Sequence, residues 1–375
     1  MMSSTTATKV ITDLSSSDVQ LSKINQVGQI LLNRPKQLNA LNYAMVKQMQ
    51  KQLEYCENDK DIKCIVIKGS GEQAFCAGGD VKSIREDCIG GKRERAMEFF
   101  REDYKLNYHI ANCRKPYVAL INGITMGGGV GVSIHGKYRV ASEKTVFAMP
   151  ETLIGFFADV GGTYFLSRLA DNLGIYLVLT GHRLKGADTR HVGIATHYAT
   201  PDKYRSLEER LYSESGELSE KKVDEILQTH SEQLDAAKFG VDRHKVRSIF
   251  GETSLEKILE GLTRDDSEWS RQQLKQMSKM SPTSLKVAIK QLHMGRVSAL
   301  LAIHELERFH GGRSSSARRQ GLEAQVAAGQ AGKSRRSHSG LVFSASAVRR
   351  QAHSSACSQA LNYIFNFNPI NKRTG

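Results

Sequence analysis

The sequence predicts an α/β fold followed by a mainly helical C-terminal part. Three observations carry this. Short apolar runs alternate with longer stretches that have apolar residues every three or four positions. Two of the apolar runs lead straight into glycine turns. After about residue 205 the pattern changes to polar-faced helical stretches.

The elements follow in order. Residues 19–33 alternate and then run apolar around Gln26-Val27-Gly28, the pattern of a β-hairpin. Met45, Met49, Leu53 and Cys56 recur at helical spacing and predict a helix over 43–58. Lys63–Lys68 (KCIVIK) is short and apolar, a buried strand, and leads to the turn Ala77-Gly78-Gly79-Asp80. A helix is expected over 92–112, then a strand at Tyr117–Ile121, then a helix opened by Gly127-Gly128-Gly129. Helical stretches follow at 205–230, 254–262 and 267–279. No internal repeat is visible. The expected organisation is a flexible tail at 1–18, an α/β core at 19–205, a mainly helical region at 206–310 and a disordered tail at 311–375.

Composition narrows the function classes. The formal net charge is +14, but residues 311–375 hold ten Lys/Arg against one acidic residue. The remainder is mildly basic, which suits a phosphorylated small molecule and makes nucleic acid an unneeded partner. No apolar stretch reaches membrane-spanning length, so no membrane partner is expected. Six scattered cysteines without a CxxC pair predict reduced thiols and no metal site. The first twenty residues lack both the arginines of a presequence and the apolar stretch of a secretory signal.

Candidate chemistry sits at the turns. Glycine lets a backbone N–H approach a ligand closely, and N–H groups at a helix start have no intrahelical partner. Two such groups converging would form an oxyanion hole. Alternatively, each is only a tight turn. Glu151 in Phe147-Ala-Met-Pro-Glu151 and Asp159 in Phe156-Phe-Ala-Asp-Val-Gly-Gly162 are carboxylates in apolar surroundings, where burial favours acid–base work. They could instead cap a turn and a helix. His135 and Trp269 read as packing or surface residues, and Arg139 and Lys144 as surface charges.

Four segments together carry a resemblance: Asn33-Arg-Pro-Lys-Gln-Leu-Asn-Ala-Leu41, Ala74-Phe-Cys-Ala-Gly-Gly-Asp80, Lys115-Pro-Tyr-Val-Ala-Leu-Ile-Asn-Gly123 and Met126-Gly-Gly-Gly129. In order and spacing they resemble the crotonase (enoyl-CoA hydratase/isomerase) superfamily over roughly residues 19–300. The resemblance implies a spiral of ββα units, an acyl-CoA substrate and homo-oligomers built through C-terminal helices. It puts oxyanion donors at Gly79 and Gly128, an active-site pair at Glu151 and Asp159, a substrate-binding carboxylate at Asp103 and a CoA-phosphate lysine at Lys82. Hydratases of the superfamily use two glutamates. One matches Glu151, but the other falls on Gly131, so hydration is disfavoured. Phe100-Arg-Glu-Asp-Tyr104, Ala158-Asp-Val-Gly-Gly162 and Leu179-Thr-Gly-His-Arg-Leu-Lys-Gly186 resemble the branch that hydrolyses short branched 3-hydroxyacyl-CoA thioesters. That implies conversion of 3-hydroxyisobutyryl-CoA to 3-hydroxyisobutyrate and CoA, a step of valine catabolism, in the mitochondrial matrix and without a cofactor or metal. It leaves open whether Glu151 is nucleophile or base. The rival readings are another acyl-CoA isomerase or lyase of this fold, and a non-catalytic binding protein.

The resemblance stops after His310. HGGRSSSARRQGLEAQVAAG (residues 310–329) can be encoded so that deleting one nucleotide after the His codon yields HEGVRALLVDKDWKPKWQPA, which continues the branch's usual C-terminal pattern. Each tail residue constrains two overlapping codons, so agreement over this stretch is hard to reach by chance. The expectation is a one-nucleotide insertion that replaced the original C-terminus with a poorly packing tail.

Overall fold

The computed structural model describes residues 8–235 and 239–309. Contacts divide the chain after Ala302. Of the second unit only the helical backbone of 303–309 is described, so the tail expected at 311–375 lies outside the described residues.

The first unit contains two sheets that share strands in sequential pairs. One has the order β1 (Thr8–Val10), β2 (Val19–Ile24), β3 (Val27–Leu32), β4 (Cys64–Gly69), β6 (Tyr117–Ile121), β8 (Tyr138–Ala141) and β11 (His197–Tyr198). The other has the order β10 (Leu184–Lys185), β9 (Val146–Ala148), β7 (Ile124–Met126) and β5 (Ala74–Cys76). Thus β4, β6 and β8 lie in the large sheet, and the strand after each passes into the small one. β1–β2, β2–β3 and β9–β10 are antiparallel; the other pairs are parallel. This is the expected spiral of ββα units.

Between strands run α1 (Tyr43–Asn58), α2 (Val81–Ile89), α3 (Arg93–Ala111), α4 (Gly128–Ile134), α5 (Gly162–Phe165), α6 (Leu173–Thr180) and α7 (Ala187–His191). Then come α8 (Pro201–Ser213), α9 (Glu220–His230), α10 (Arg243–Ile249), α11 (Leu255–Asp265), α12 (Glu268–Met277) and α13 (Pro282–Phe309). Local chemistry sets several starts. Asn42, Asp80, Ser219, Asp242, Ser254 and Ser267 accept a first-turn N–H at the heads of α1, α2, α9, α10, α11 and α12.

The large sheet is buried on both faces, which is why its central strands are continuous apolar runs. Strand alternation sends Ile65 and Ile67 toward a core shared with α1 and α3, and Cys64 and Val66 toward one shared with α8 and α9. A third core joins Met149, Ala158 and Val160 to α6 and to residues of α10–α13.

Three expectations change. Residues 8–14 are not all tail: β1 pairs with β2, and Thr12–Leu14 forms a 3-10 turn packed on the second core's rim. The boundary at 205/206 falls inside α8, and α8 and α9 cover a face of the large sheet, so the helical region shares the core's hydrophobic interior. Arg139 is not a surface charge. Its guanidinium reaches the carbonyls of Ile194, Ile134 and Gly136 at 2.6, 3.1 and 2.6 Å, and burial pushes its pKa down to about 10.

Candidate active site

The first glycine turn is held by the segment that precedes α1. Asn39 is fully buried. Its Oδ1 accepts the Arg34 N–H at 2.9 Å, and its Nδ2 donates to the Ser70 and Ala74 carbonyls at 3.0 and 2.8 Å. Backbone bonds then run from Ala77 N–H to Leu38, Leu41 N–H to Gly78, and Asp80 N–H to Leu41. Arg34 closes the clasp on Asp80 at 3.2 Å. These bonds engage the Ala77 and Asp80 amides and leave the Gly79 N–H without a hydrogen-bond acceptor among the described residues.

The second turn follows β7. Gly127 has φ +48° and ψ −121°, a conformation that side-chain-bearing residues avoid, and it sets Gly128 as the first residue of α4. The Gly128 N–H is a first-turn amide with no intrahelical acceptor. The two turns touch: a β-carbon on Gly128 would sit 3.1 Å from Gly79 N, and one on Gly78 would sit 3.7 Å from Gly128 N. The structure therefore brings together the two glycines singled out in the sequence.

Glu151 closes the third side. It starts a 3-10 turn, Glu151–Ile154, right after Pro150. The turn is anchored by Thr152 Oγ1 on the Val178 carbonyl at 3.0 Å and by Ser281 N–H on the Thr152 carbonyl at 2.9 Å. The residue is only 5% exposed, and neither carboxylate oxygen has a hydrogen-bond partner among the described residues. A β-carbon on Gly127 would lie 3.2 Å from Glu151 Oε1. The carboxylate therefore abuts the turn that presents Gly128 and is not spent as a cap.

Asp159 does not cap α5, which has Gly161 at its head and no side-chain cap. Its Oδ2 accepts the Tyr104 hydroxyl at 3.0 Å. Burial raises Asp159 to about 7, against the lowering effect of Tyr104. Burial first, and then the nearby charge of Asp159, push Glu151 well above the carboxylate range. The same two causes raise Asp103, which is buried on α3 with an Oδ1 that has no hydrogen-bond partner among the described residues. Three carboxylates thus share one apolar region with no cation among the described groups acting on them. Lys82 is not among them: it is exposed in the first turn of α2.

Gly131, where the second hydratase glutamate would stand, has no room for one. A β-carbon there would lie 2.3 Å from Asn107 Oδ1 and 2.8 Å from Val160 Cβ. Several residues around the site escaped the sequence reading. Tyr104 and Asn107 share the α3 face of Phe100 and Asp103, a spacing of three to four that was there to be read. His135 was read as a packing or surface residue; its Nε2 bonds the Val160 carbonyl at 2.8 Å, and burial lowers its pKa. Aromatic rings line this side, with Phe100 stacked on Phe156 at 5.4 Å. A cavity of about 370 Å³, lined by Leu41, Tyr43, Asp80, Ile84, Arg95 and Phe99 among others, adjoins the first glycine turn. Among the described residues no group of His, Cys, Asp and Glu could hold a metal ion, and no helix is long and apolar enough to cross a membrane.

Comparison with known proteins agrees with this geometry. The enoyl-CoA hydratase/isomerase family profile matches residues 27–310, ending at the residue where the recodable tail begins. The mitochondrial 3-hydroxyisobutyryl-CoA hydrolase of Xenopus laevis is 47% identical over 292 residues, covering 76% of this chain and 75% of that protein. The human protein of the same name is 47% identical over 294 residues, with 77% and 76% covered. Among solved structures, a carnitinyl-CoA dehydratase from Mycobacterium thermoresistibile superposes with a TM-score of 0.69 at 34% identity, covering 75% of this chain and 80% of that one. An enoyl-CoA hydratase from Rhodobacter sphaeroides gives 0.68 at 31%, covering 74% and 79%. With a profile spanning most of its length and relatives nearly half identical over three quarters of both chains, the chain belongs to the enoyl-CoA hydratase/isomerase family.

Proposed function

We propose that this protein hydrolyses the thioester of a short branched 3-hydroxyacyl-CoA, 3-hydroxyisobutyryl-CoA foremost, to the free hydroxy acid and CoA. The observation that carries this reading is a buried Glu151, without a hydrogen-bond partner among the described residues, set against the second of two touching glycine turns. Its substrate is taken from the relatives named for that reaction.

In this reading the thioester oxygen accepts the Gly79 and Gly128 N–H groups. They are fixed before substrate arrives, so they stabilise the charge that grows on that oxygen without reorganising. Water adds its oxygen to the carbonyl carbon, the C–S bond breaks, and the sulfur leaves with the bonding electron pair. Two protons must move: one off the attacking water and one onto the departing sulfur. The Glu151–Asp159 pair suits both tasks. Above about pH 7 it carries one charge and one proton, so one carboxyl can accept while the other gives. Asp103, with an unpartnered buried oxygen, takes the substrate's 3-hydroxyl. Lys82 meets the CoA phosphates from the surface. Hydration is disfavoured because Asn107 and Val160 occupy the space a second glutamate would need. The relatives' mitochondrial names support a matrix location.

The test is a CoA-release assay over a panel of short acyl-CoA thioesters, with crotonyl-CoA hydration followed in parallel. Release should be fastest from 3-hydroxyisobutyryl-CoA. Hydration outrunning that release would overturn the proposal.

A further inference from the structure

The loop that carries Asp159 is fixed on both sides of it. Gln291 Nε2, from α13, donates to the Ala158 carbonyl at 2.7 Å and to Thr163 Oγ1 at 2.6 Å. His135 Nε2 bonds the Val160 carbonyl at 2.8 Å. Between them Val160 has φ +44°, a left-handed conformation that a β-branched residue adopts only when its surroundings impose it. With the backbone pinned, rotation about the Asp159 side chain is the remaining freedom, and the Tyr104 hydroxyl removes it through its 3.0 Å bond to Oδ2. Tyr104 is itself braced. It packs against the third core, and its ring lies 6.2 Å from that of Phe100, which stacks on Phe156.

The geometry points to Tyr104 as a positioning residue that holds the Asp159 carboxylate in its working orientation toward Glu151 and the thioester. This rests on the reading of Glu151 and Asp159 as the acid–base pair. The groups that act on or feel Asp159 are Tyr104 and Asp103 from α3 and Glu151 from the 3-10 turn, while His135 from the end of α4 bonds the neighbouring Val160 carbonyl. Asp103 and Glu151 repel a charge on Asp159, and burial disfavours the charged form of His135; the Tyr104 hydroxyl first, and then a backbone hydrogen bond at Asp159 itself, favour that charge. Tyrosine at this position therefore lowers the pH at which the pair gives up its first proton.

The test is the pH dependence of kcat/KM for CoA release by Tyr104→Phe, which deletes only the hydroxyl. The wild-type acidic limb should fall near pH 7. In Tyr104→Phe it should move to higher pH, kcat should fall on the order of tenfold, as for loss of a hydrogen bond to a charged group, and KM should stay nearly constant. Wild-type kcat with an unmoved limb overturns the proposal. So does a reduced kcat with an unmoved limb, because a merely structural role would have that signature. Should Tyr104→Phe melt early, fluorotyrosine at position 104 alone keeps the packing while donating a stronger hydrogen bond. The limb must then move to lower pH, and an unmoved limb overturns the idea. Glu151→Gln is assayed alongside. Full activity in that variant would sink the underlying site reading whatever Tyr104 does.

Discussion

Glu102 and Asp103 are chain neighbours on α3, and both are buried, at 3% and 2% exposure. They project from two faces of one helix and meet opposite fates. Glu102 faces α1, where Lys47 reaches it at 2.8 Å, and Lys105 of its own helix reaches it at 2.6 Å. Burial alone would raise Glu102, but the hydrogen bonds of Lys105 and Lys47 overcome burial and hold it at about 2. Asp103 faces the region of Asp159, meets no cation among the described groups acting on it, and is pushed up by burial and by the charge of Asp159. Both are hidden from solvent, but Glu102 lies close to the surface, where two lysines reach it, and Asp103 lies deep, with none among the described groups acting on it. A paired buried carboxylate is finished as a structural element, whereas an unpaired one is held ready for chemistry.

The largest expected effect lies on the unpaired side. Glu151→Gln keeps size and shape but cannot exchange a proton, so kcat for CoA release should fall by a factor on the order of 10²–10⁴, with acyl-CoA affinity within a few-fold by equilibrium binding. More than half the wild-type activity in this variant would erase the distinction between the two faces. The same change sharpens the comparison through stability. A carboxyl whose folded pKa is raised costs nothing in acid and destabilises as pH climbs above its unfolded value. Glu151→Gln should therefore melt at or above wild type at pH 8, and the two melting curves should converge as pH falls toward 4.

Next comes the oxyanion side. Gly128→Val would set its β-carbon 3.1 Å from Gly79 N and 3.3 Å from Gly78 C, spreading the two turns. Loss of one such donor costs roughly 3 kcal/mol in the transition state. Steady-state kinetics on the folded variant should show at least that loss. Normal turnover would show that the turns do not bind the thioester oxygen.

Gly131→Ala should have a smaller effect, felt in stability. The added methyl overlaps Asn107 Oδ1 and Val160, an overpacking of about 1–3 kcal/mol by denaturant titration. Gly131→Glu should gain no crotonyl-CoA hydration, because the pocket cannot admit the side chain in a working pose. The smallest effect belongs to the paired face. Glu102→Gln should keep activity within about twofold and lose about 1 kcal/mol or less, since Lys47 and Lys105 are half exposed and screened by solvent. The Glu102 pKa is depressed, so its stabilisation is full above pH 4.5 and disappears as pH falls toward 2. A large activity loss here would mean that ion pairing does not separate structural from catalytic carboxylates.

Much of the scaffold was legible because it depends on local pattern. The run Tyr117–Ile121 is a strand end to end, and the helix expected at 43–58 has those bounds. The three-residue strands β5, β7 and β9 were not legible: segments that short become strands only through the neighbours they pair with. The site divided in the same way. Gly79, Gly128, Glu151 and Asp159 stood out by residue type and by family spacing. What makes them a site, the absence of a partner for Glu151 and the Tyr104 bond to Asp159, is set by contacts across long sequence separations. Glu102 and Asp103 look alike in sequence, and only the helix packed outside one and the loop packed inside the other tell them apart. Arg139 was misread in part for the same reason: two of its carbonyls are near in sequence, at Ile134 and Gly136, but the third comes from Ile194.

The central claim is that unpaired burial keeps a proton in the Glu151–Asp159 pair into the neutral range. An infrared or carbon-13 NMR titration of the carboxyl groups in the folded, substrate-free protein tests it most directly. A carboxyl signal should titrate near pH 7, be missing in Asp159→Asn and move in Glu151→Gln. Carboxyl signals that all titrate below about pH 5, in the ordinary range of solvated carboxylates, would contradict it.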